Sequence, residues 1–328
     1  MTYIPDPGSL VELAAVVEST DGTYVDPTSG AGGVQLPTTG VPSFGLGHQI
    51  IRGSHLTGNV QKIITHNTVR GVDVPFIGFE VPFSQNTLAT VLHMITGSAL
   101  TSNAWTVVDG PPGFSIGIHT QRPGAGAGDY YKFAGCKVAS AKISMAVGSM
   151  PTIALQIIAR SLAFPDTSPT TFPTLTPLFT SRPFILTDST LREASTGVFA
   201  GATDIKFRGF ELDIDCGLLI EHNSSSTSPD SVTRTAFDTS GILVGRQSAE
   251  WWDQWKGLIA GESNGGFLDR YMRLLLNDGT NILRLTMPVN FELPAFGPDE
   301  LAIGAPIAFF AGAVNDAPTS PVILIENV

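Results

Sequence analysis

Charge is scarce in this chain. Only 14% of its 328 residues are Asp, Glu, Lys or Arg, against about 25% in an ordinary soluble domain, and the balance is −11. Residues 1–45 contain no Lys or Arg at all. A balance this acidic argues against a tightly held nucleic acid, because such affinity comes largely from cations that neutralise phosphates. A surface so poor in charge is consistent with an ordinary all-β monomer, but it also points to assembly, in which something covers it.

Cysteine is scarcer still. Cys136 and Cys216 lie one in each half, neither in a CxxC pair, and they read as buried free thiols rather than as a disulfide framework. No run of 18 apolar residues provides a membrane-spanning helix. The opening MTYIPDPGSL lacks the basic start and apolar core of a leader, so a soluble, reducing compartment is expected. The six histidines (His48, His55, His66, His93, His119 and His222) show neither HExxH nor HxH spacing, and no metal site is expected. No GxSxG elbow anchors a Ser-His-Asp triad. The stretch RPGAGAGD, around Gly124–Gly128, lacks the GKS or GKT ending of a phosphate loop and reads as a hairpin tip. With no grouping of acid, base and nucleophile, no catalytic residue and no cofactor are expected, and the chain does not read as an enzyme.

What is abundant is turn chemistry: 35 Gly and 23 Pro among 42% hydrophobic residues. That mixture predicts a mainly β protein of short strands and many turns. A length of 328 residues suits two domains, each with its own core. Two segments share one grammar: SQNTLATVLHMITG (Ser84–Gly97) and SAEWWDQWKGLIAG (Ser248–Gly261). Each opens on a serine suited to cap a helix and closes on a glycine suited to the left-handed position that ends one. Leu88, Val91, Leu92 and Ile95 fall at helical spacing in the first, as do Trp251, Trp255 and Leu258, flanked by Trp252 and Ile259, in the second. Both predict amphipathic helices, with Leu88, Leu92, Trp251, Trp252 and Trp255 as anchors to a core or an interface. After each, Asp-Gly (Asp109-Gly110, Asp278-Gly279) predicts a hairpin turn, the first one lengthened by Pro111 and Pro112.

Segments recurring at half the chain length predict a duplicated domain. The boundaries read as an N-terminal arm over 1–46, a first domain over 47–166, a linker over 167–186 and a second domain over 187–328. The arm contains strand-like Leu10–Val17 and a Gly/Thr/Pro-rich stretch ordered only where it docks. The linker carries Pro169, Pro173, Pro177 and Pro183, which predicts a stiff spacer. Residues 46–166 hold eight Lys plus Arg against five acids, and residues 187–328 nine against nineteen. If copies meet head to tail, that asymmetry favours alternation of the halves.

One segment has a sharper pattern. From Phe210 to Cys216, Phe210, Leu212, Ile214 and Cys216 alternate with Glu211, Asp213 and Asp215. A strand here has one apolar face and one face with three carboxylates in a row. The row reads as a solvated outer face, as a calcium site lacking the EF-hand pattern, or as an acidic wall along a channel where passing DNA would not stick.

The segment DYYKFAGCKVASAKISMAVGSMPTIALQIIAR (Asp129–Arg160) resembles the strand pair of the major tail tube proteins of long-tailed bacteriophages. FIGFEVPFSQNTLATVLHMITGS (Phe76–Ser98) is similar to the strand and short helix before it, and FRGFELDIDCGLLIEHN (Phe207–Asn223) and ILVGRQ (Ile242–Gln247) resemble second-domain elements of the two-domain, non-contractile-tail type. The resemblance implies two tandem β-sandwich or half-barrel domains, each with a short flanking α-helix. It implies that inner sheets of neighbours join around a lumen in a trimeric, pseudo-hexameric ring, and that rings stack into a tube for genome delivery. Expected partners are further copies of the chain, a tape measure protein inside the tube, a tail terminator and a tail tip, with DNA passing unbound and no membrane. The expected location is the virion tail, after assembly in the host cytoplasm. Glu211, Asp213 and Asp215 become candidate lumen-lining residues. The competing expectations are another phage ring component, such as a terminator or baseplate ring, and a β-sandwich binding module with the three tryptophans as a carbohydrate or protein platform.

Overall fold

The structure is a computed structural model. It describes residues 2–3, 10–28, 31–52, 68–101, 103–121, 129–166, 184, 189–194, 198–202, 204–205, 207–223, 226–245, 267–279, 281–292, 307–311 and 324–327. Among them are twenty strands and one helix. The first half holds β1 (Thr2–Tyr3), β2 (Leu10–Val17), β3 (Val34–Leu36), β4 (Ser43–Arg52), β5 (Thr68–Pro82), α1 (Gln85–Thr96), β6 (Ala104–Thr106), β7 (Phe114–Gln121), β8 (Asp129–Ala146), β9 (Thr152–Ile158) and β10 (Ser161–Asp166). The second holds β11 (Thr190–Ala194), β12 (Asp204–Ile205), β13 (Phe207–Asp215), β14 (Leu218–Glu221), β15 (Ser231–Arg234), β16 (Asp238–Gly245), β17 (Phe267–Asn277), β18 (Ile282–Glu292), β19 (Ile307–Ala311) and β20 (Leu324–Asn327).

The first half is a sandwich folded about one bent strand. The N-terminal part of β8 pairs with β7 and β10, and its C-terminal part pairs with β9 and β13, so a single strand serves two sheets. Gly135 stands at the change of sheet with φ +64, where a side chain would press on Arg160 Cβ at 2.6 Å. A buried carboxylate fixes the bend. Glu18, 7% exposed, accepts from the Gly135 N–H and the Ser115 hydroxyl with one oxygen, both at 2.8 Å, and from the Gly22 N–H with the other at 2.6 Å. Three donors replace the water that burial removes, as a buried charge requires.

Helix α1 forms where its spacing predicts, with Leu88, Val91, Leu92 and Ile95 buried. Gly97 closes it at φ 86. Ser84 sits at the N-cap, but its hydroxyl meets the Thr87 hydroxyl at 3.2 Å and makes no cap bond to a backbone N–H. One other expectation is corrected. Asp109-Gly110 makes no hairpin, because Pro111 and Pro112 interrupt the chain and β6 pairs with β20 instead of β7. Strand β13 ends at Asp215, which accepts the Gly217 N–H at 2.9 Å, and Gly217 follows at φ 40. The strand expected over Leu10–Val17 is β2, docked on β7 over eight positions, and Leu13 to Val16 are core residues.

The pairings of the first half recur in the second. β2–β3 and β2–β7 have counterparts in β11–β12 and β11–β17, and β4–β5 and β5–β9 in β13–β16 and β16–β19. β7–β8, β8–β9 and β8–β10 recur as β17–β18, β18–β19 and β18–β20. The Asp278-Gly279 turn joins β17 to β18 as expected, with Gly279 at φ 94. α1 lies between β5 and β7; its counterpart segment, with Trp251, Trp252 and Trp255, lies outside the described residues, as does most of the Pro-rich linker. One linker residue is described: Phe184 is fully buried, its ring 5.6 Å from that of Phe83.

Candidate functional site

Strand β8 joins the halves. Seven consecutive pairs, Ser140↔Asp215 to Ala146↔Gly209, zip it to β13, so one sheet runs β4-β5-β9-β8-β13-β16-β19-β18 across both halves. Directly paired residues put their side chains on the same side of a sheet, and the register therefore assigns a face to each. On one side lie Phe210, Leu212, Ile143, Leu155, Leu243 and Phe309, all buried. On the other, three rows cross the sheet.

The first row is Ser43, Gly78, Gln156, Ser140, Asp215 and Asp238; the second Glu80, Ala154, Lys142, Asp213, Ser240 and Phe310; the third Pro82, Thr152, Ser144, Glu211, Ile242 and Ala308. Most of these side chains are small or polar. The face is concave at its centre, with a hollow of ≈ 590 Å³ whose lining includes Lys142, Gln156, Asp213, Asp215, Asp238 and Phe310. Within these three rows the charged groups are Glu80, Glu211, Asp213, Asp215 and Asp238 against Lys142. Neighbouring strands are under 5 Å apart, so these carboxylates share one local field.

Lys142 tempers that field. Its Nζ lies 2.7 Å from Glu211 and 3.8 Å from Asp213. The hydrogen bond to Glu211, helped by the charges of both carboxylates, raises its pKa above the usual lysine value, and it is cationic at any physiological pH. All three side chains are well exposed, so the pairs contribute little to stability.

Glu211, Asp213 and Asp215 do occupy one face, alternating with core residues as their spacing predicts. Leu88 and Leu92 are 1% exposed and anchor α1 to the subunit's own core. Sequence reasoning missed Lys142, Glu80 and Asp238. The signal was there in β8, where Ser140, Lys142 and Ser144 alternate with Ala141, Ile143 and Met145, but nothing local says that this row and the acidic row are neighbours.

Among the described residues no group of three or more His, Cys, Asp or Glu side chains could hold a metal ion. Cys136 and Cys216 are buried and free. Burial, reinforced by the nearby Glu18, pushes the Cys136 thiol well up, and burial raises Cys216 to about 11, so neither is a thiolate at neutral pH.

A family model for phage tail tube proteins matches residues 8–255. The chain belongs to that family. No curated protein matches it. Membership makes this a structural tail tube protein and a component of the virion tail. The match begins two residues before β2 and spans the whole of the β4-β5-β9-β8-β13-β16 run, so the concave acidic face of this tail tube protein lies largely within the segment that carries the family likeness.

Proposed function

We propose that this tail tube protein is a tandem duplication whose copies join edge to edge into a three-membered, pseudo-sixfold ring, and that rings stack into the conduit through which the genome leaves the virion. The recurrence of seven strand pairings between the halves supports the duplication. The observation that carries the conduit is the continuous eight-stranded run with an apolar core on one face and a concave, mainly acidic face on the other. Three copies of that run give 24 strands, three times eight. At strand spacing such a barrel is roughly 37 Å across before strand tilt widens it, wide enough for a DNA duplex. Closure also removes open sheet edges.

In this reading Glu80, Glu211, Asp213, Asp215 and Asp238 line the lumen, and like-sign repulsion keeps DNA from adhering as it passes. Other copies of the chain, a tape measure protein in the lumen, a terminator and a tail tip are its partners. Assembly takes place in the host cytoplasm, and the tail is of the non-contractile type.

The lumen assignment has a direct test. Replacing the three carboxylates by lysine would crowd ammonium groups around Lys142, so the neutral set Glu211→Gln, Asp213→Asn and Asp215→Asn isolates the effect of charge. An Asn at 215 can still accept the Gly217 N–H. The triple variant is expected to fold and form tubes while DNA ejection from the particles slows severalfold. Ejection at the unaltered rate would remove these residues from the lumen.

A further inference from the structure

Both ends of the eight-stranded run are covered by the chain's own backbone. At one end β1 pairs with β4, Thr2 opposite Gly45 and Tyr3 opposite Phe44. Among the described residues no other strand pairs with that edge of the ten-residue β4. At the other end the first five residues of β17, Phe267–Tyr271, pair with Pro288–Glu292 of β18.

The recurrence of pairings says what these covers replace. β4 corresponds to β13, and β5 to β16. The edge of β13 that faces away from β16 is held by β8 through seven pairs, whereas the equivalent edge of β4 is held by β1 through two. The counterpart of β8 is β18, and the place that β13 takes on β8 is taken on β18 by the start of β17.

We propose that β1 is a removable cover on an assembly edge, and that the strand which displaces it from β4 is β18 of a second copy of this chain. The inference rests on the ring reading above and adds the edges, the register type and the competitor. An open strand edge is a template for indiscriminate pairing. Two paired residues are enough to shield it in the free subunit, and a seam like the seven-pair β8–β13 zipper outcompetes them once a neighbour is in place. Displacement of β1 and of the start of β17 then belongs to ring closure, which keeps the free subunit from pairing at random.

Two variants of the full-length protein test this by light scattering and electron microscopy. Deletion of Thr2–Pro7 removes the cover and leaves β2 intact. Its critical concentration for polymerisation is expected to fall about tenfold, the equivalent of roughly two lost backbone hydrogen bonds. The second variant, Thr2→Cys with Gly45→Cys, joins directly opposed positions, which lie within disulfide reach in an antiparallel pair. Oxidised, with the cross-link confirmed by mass, it is expected to stay monomeric, and to polymerise on reduction. A deletion that leaves the critical concentration unchanged or raises it, or a locked chain that polymerises like the reduced one, overturns the proposal. Unaltered protein that forms no ring or tube under any condition speaks instead against the ring reading.

Discussion

Phe309→Ala is expected to lower folding stability by about 3–5 kcal/mol, the range for truncating a buried aromatic. Phe309 is fully buried in β19, the short strand that ties β16 to β18. Its ring stacks on Phe210 at 5.9 Å and 22°, and meets Phe291 edge-on at 6.2 Å and 69°. Opposite it stands Gly241, where an added Cβ would collide with the Phe309 ring and crowd the Glu211 carbonyl oxygen, 2.5 Å away. The ring therefore fills the space that the glycine leaves open, an arrangement in which a cross-strand aromatic covers a weak point of the sheet. Gly241→Ala alone should also destabilise, through the same collision, and the two changes together should cost less than their sum because one contact is shared. Urea unfolding of the two single variants and the double variant measures this. A Phe309→Ala loss below about 1 kcal/mol would mean that β19 is not held by this cluster.

Arg234→Met should cost on the order of 3 kcal/mol, because it removes three charge-assisted hydrogen bonds from a largely buried site. Arg234 ends β15, in the second half, yet its guanidinium enters the C-terminal end of α1 in the first. It donates to the Thr96 carbonyl at 3.1 Å, the Val108 carbonyl at 3.3 Å and the Ile95 carbonyl at 2.5 Å, and lies 5.4 Å from the centre of the Phe237 ring. Burial pulls its pKa below the ordinary arginine value, with Cys216 and Asp109 opposing the shift. A cation at a helix C-terminus meets both the unpaired carbonyls and the negative end of the helix dipole. The same β14–β15 excursion gives the Thr227 carbonyl to the Asp73 N–H at 2.8 Å and brings Asp230 to 4.0 Å from Arg160. Arg234 is thus a strut between the halves. Arg234→Lys should recover little, since one ammonium cannot serve three carbonyls held by a planar fork. Hydrogen exchange read together with urea unfolding checks this: the last turn of α1 should lose protection in the methionine variant. Full stability of the lysine variant would contradict the account.

These residues also mark the limits of what the sequence makes legible. Local chemistry reads well. Helix α1 lies between Ser84 and Gly97, Asp278-Gly279 makes its turn, and Phe210 to Asp215 alternates as a half-buried strand. The misreadings arise where distant segments override local signals. Asp109-Gly110 carries a hairpin dipeptide, but the prolines after it and the claim of β20 on β6 decide the outcome. The strand at 10–17 is legible in its apolar run, but its partner β7, about a hundred residues on, is not. In the acidic row the three carboxylates are visible in one stretch, but Lys142, their cation, is 69 residues from Glu211 and reaches it only through the β8–β13 seam. The proposed repeat shows the same limit: sequence suggests it only at the two segments of shared grammar, while the recurrence of seven pairings appears only in the sheet.

The central claim is that copies of this chain close into a ring through the ends of one continuous sheet. Electron microscopy of the purified protein, concentrated and imaged over hours, tests it most directly. The account predicts hollow tubes of stacked rings with threefold symmetry, their inner wall a closed barrel in which β18 of one copy lies beside β4 of the next. A protein that stays monomeric at every concentration, or rings whose inner wall is not built from the β4-to-β18 sheet, would contradict it.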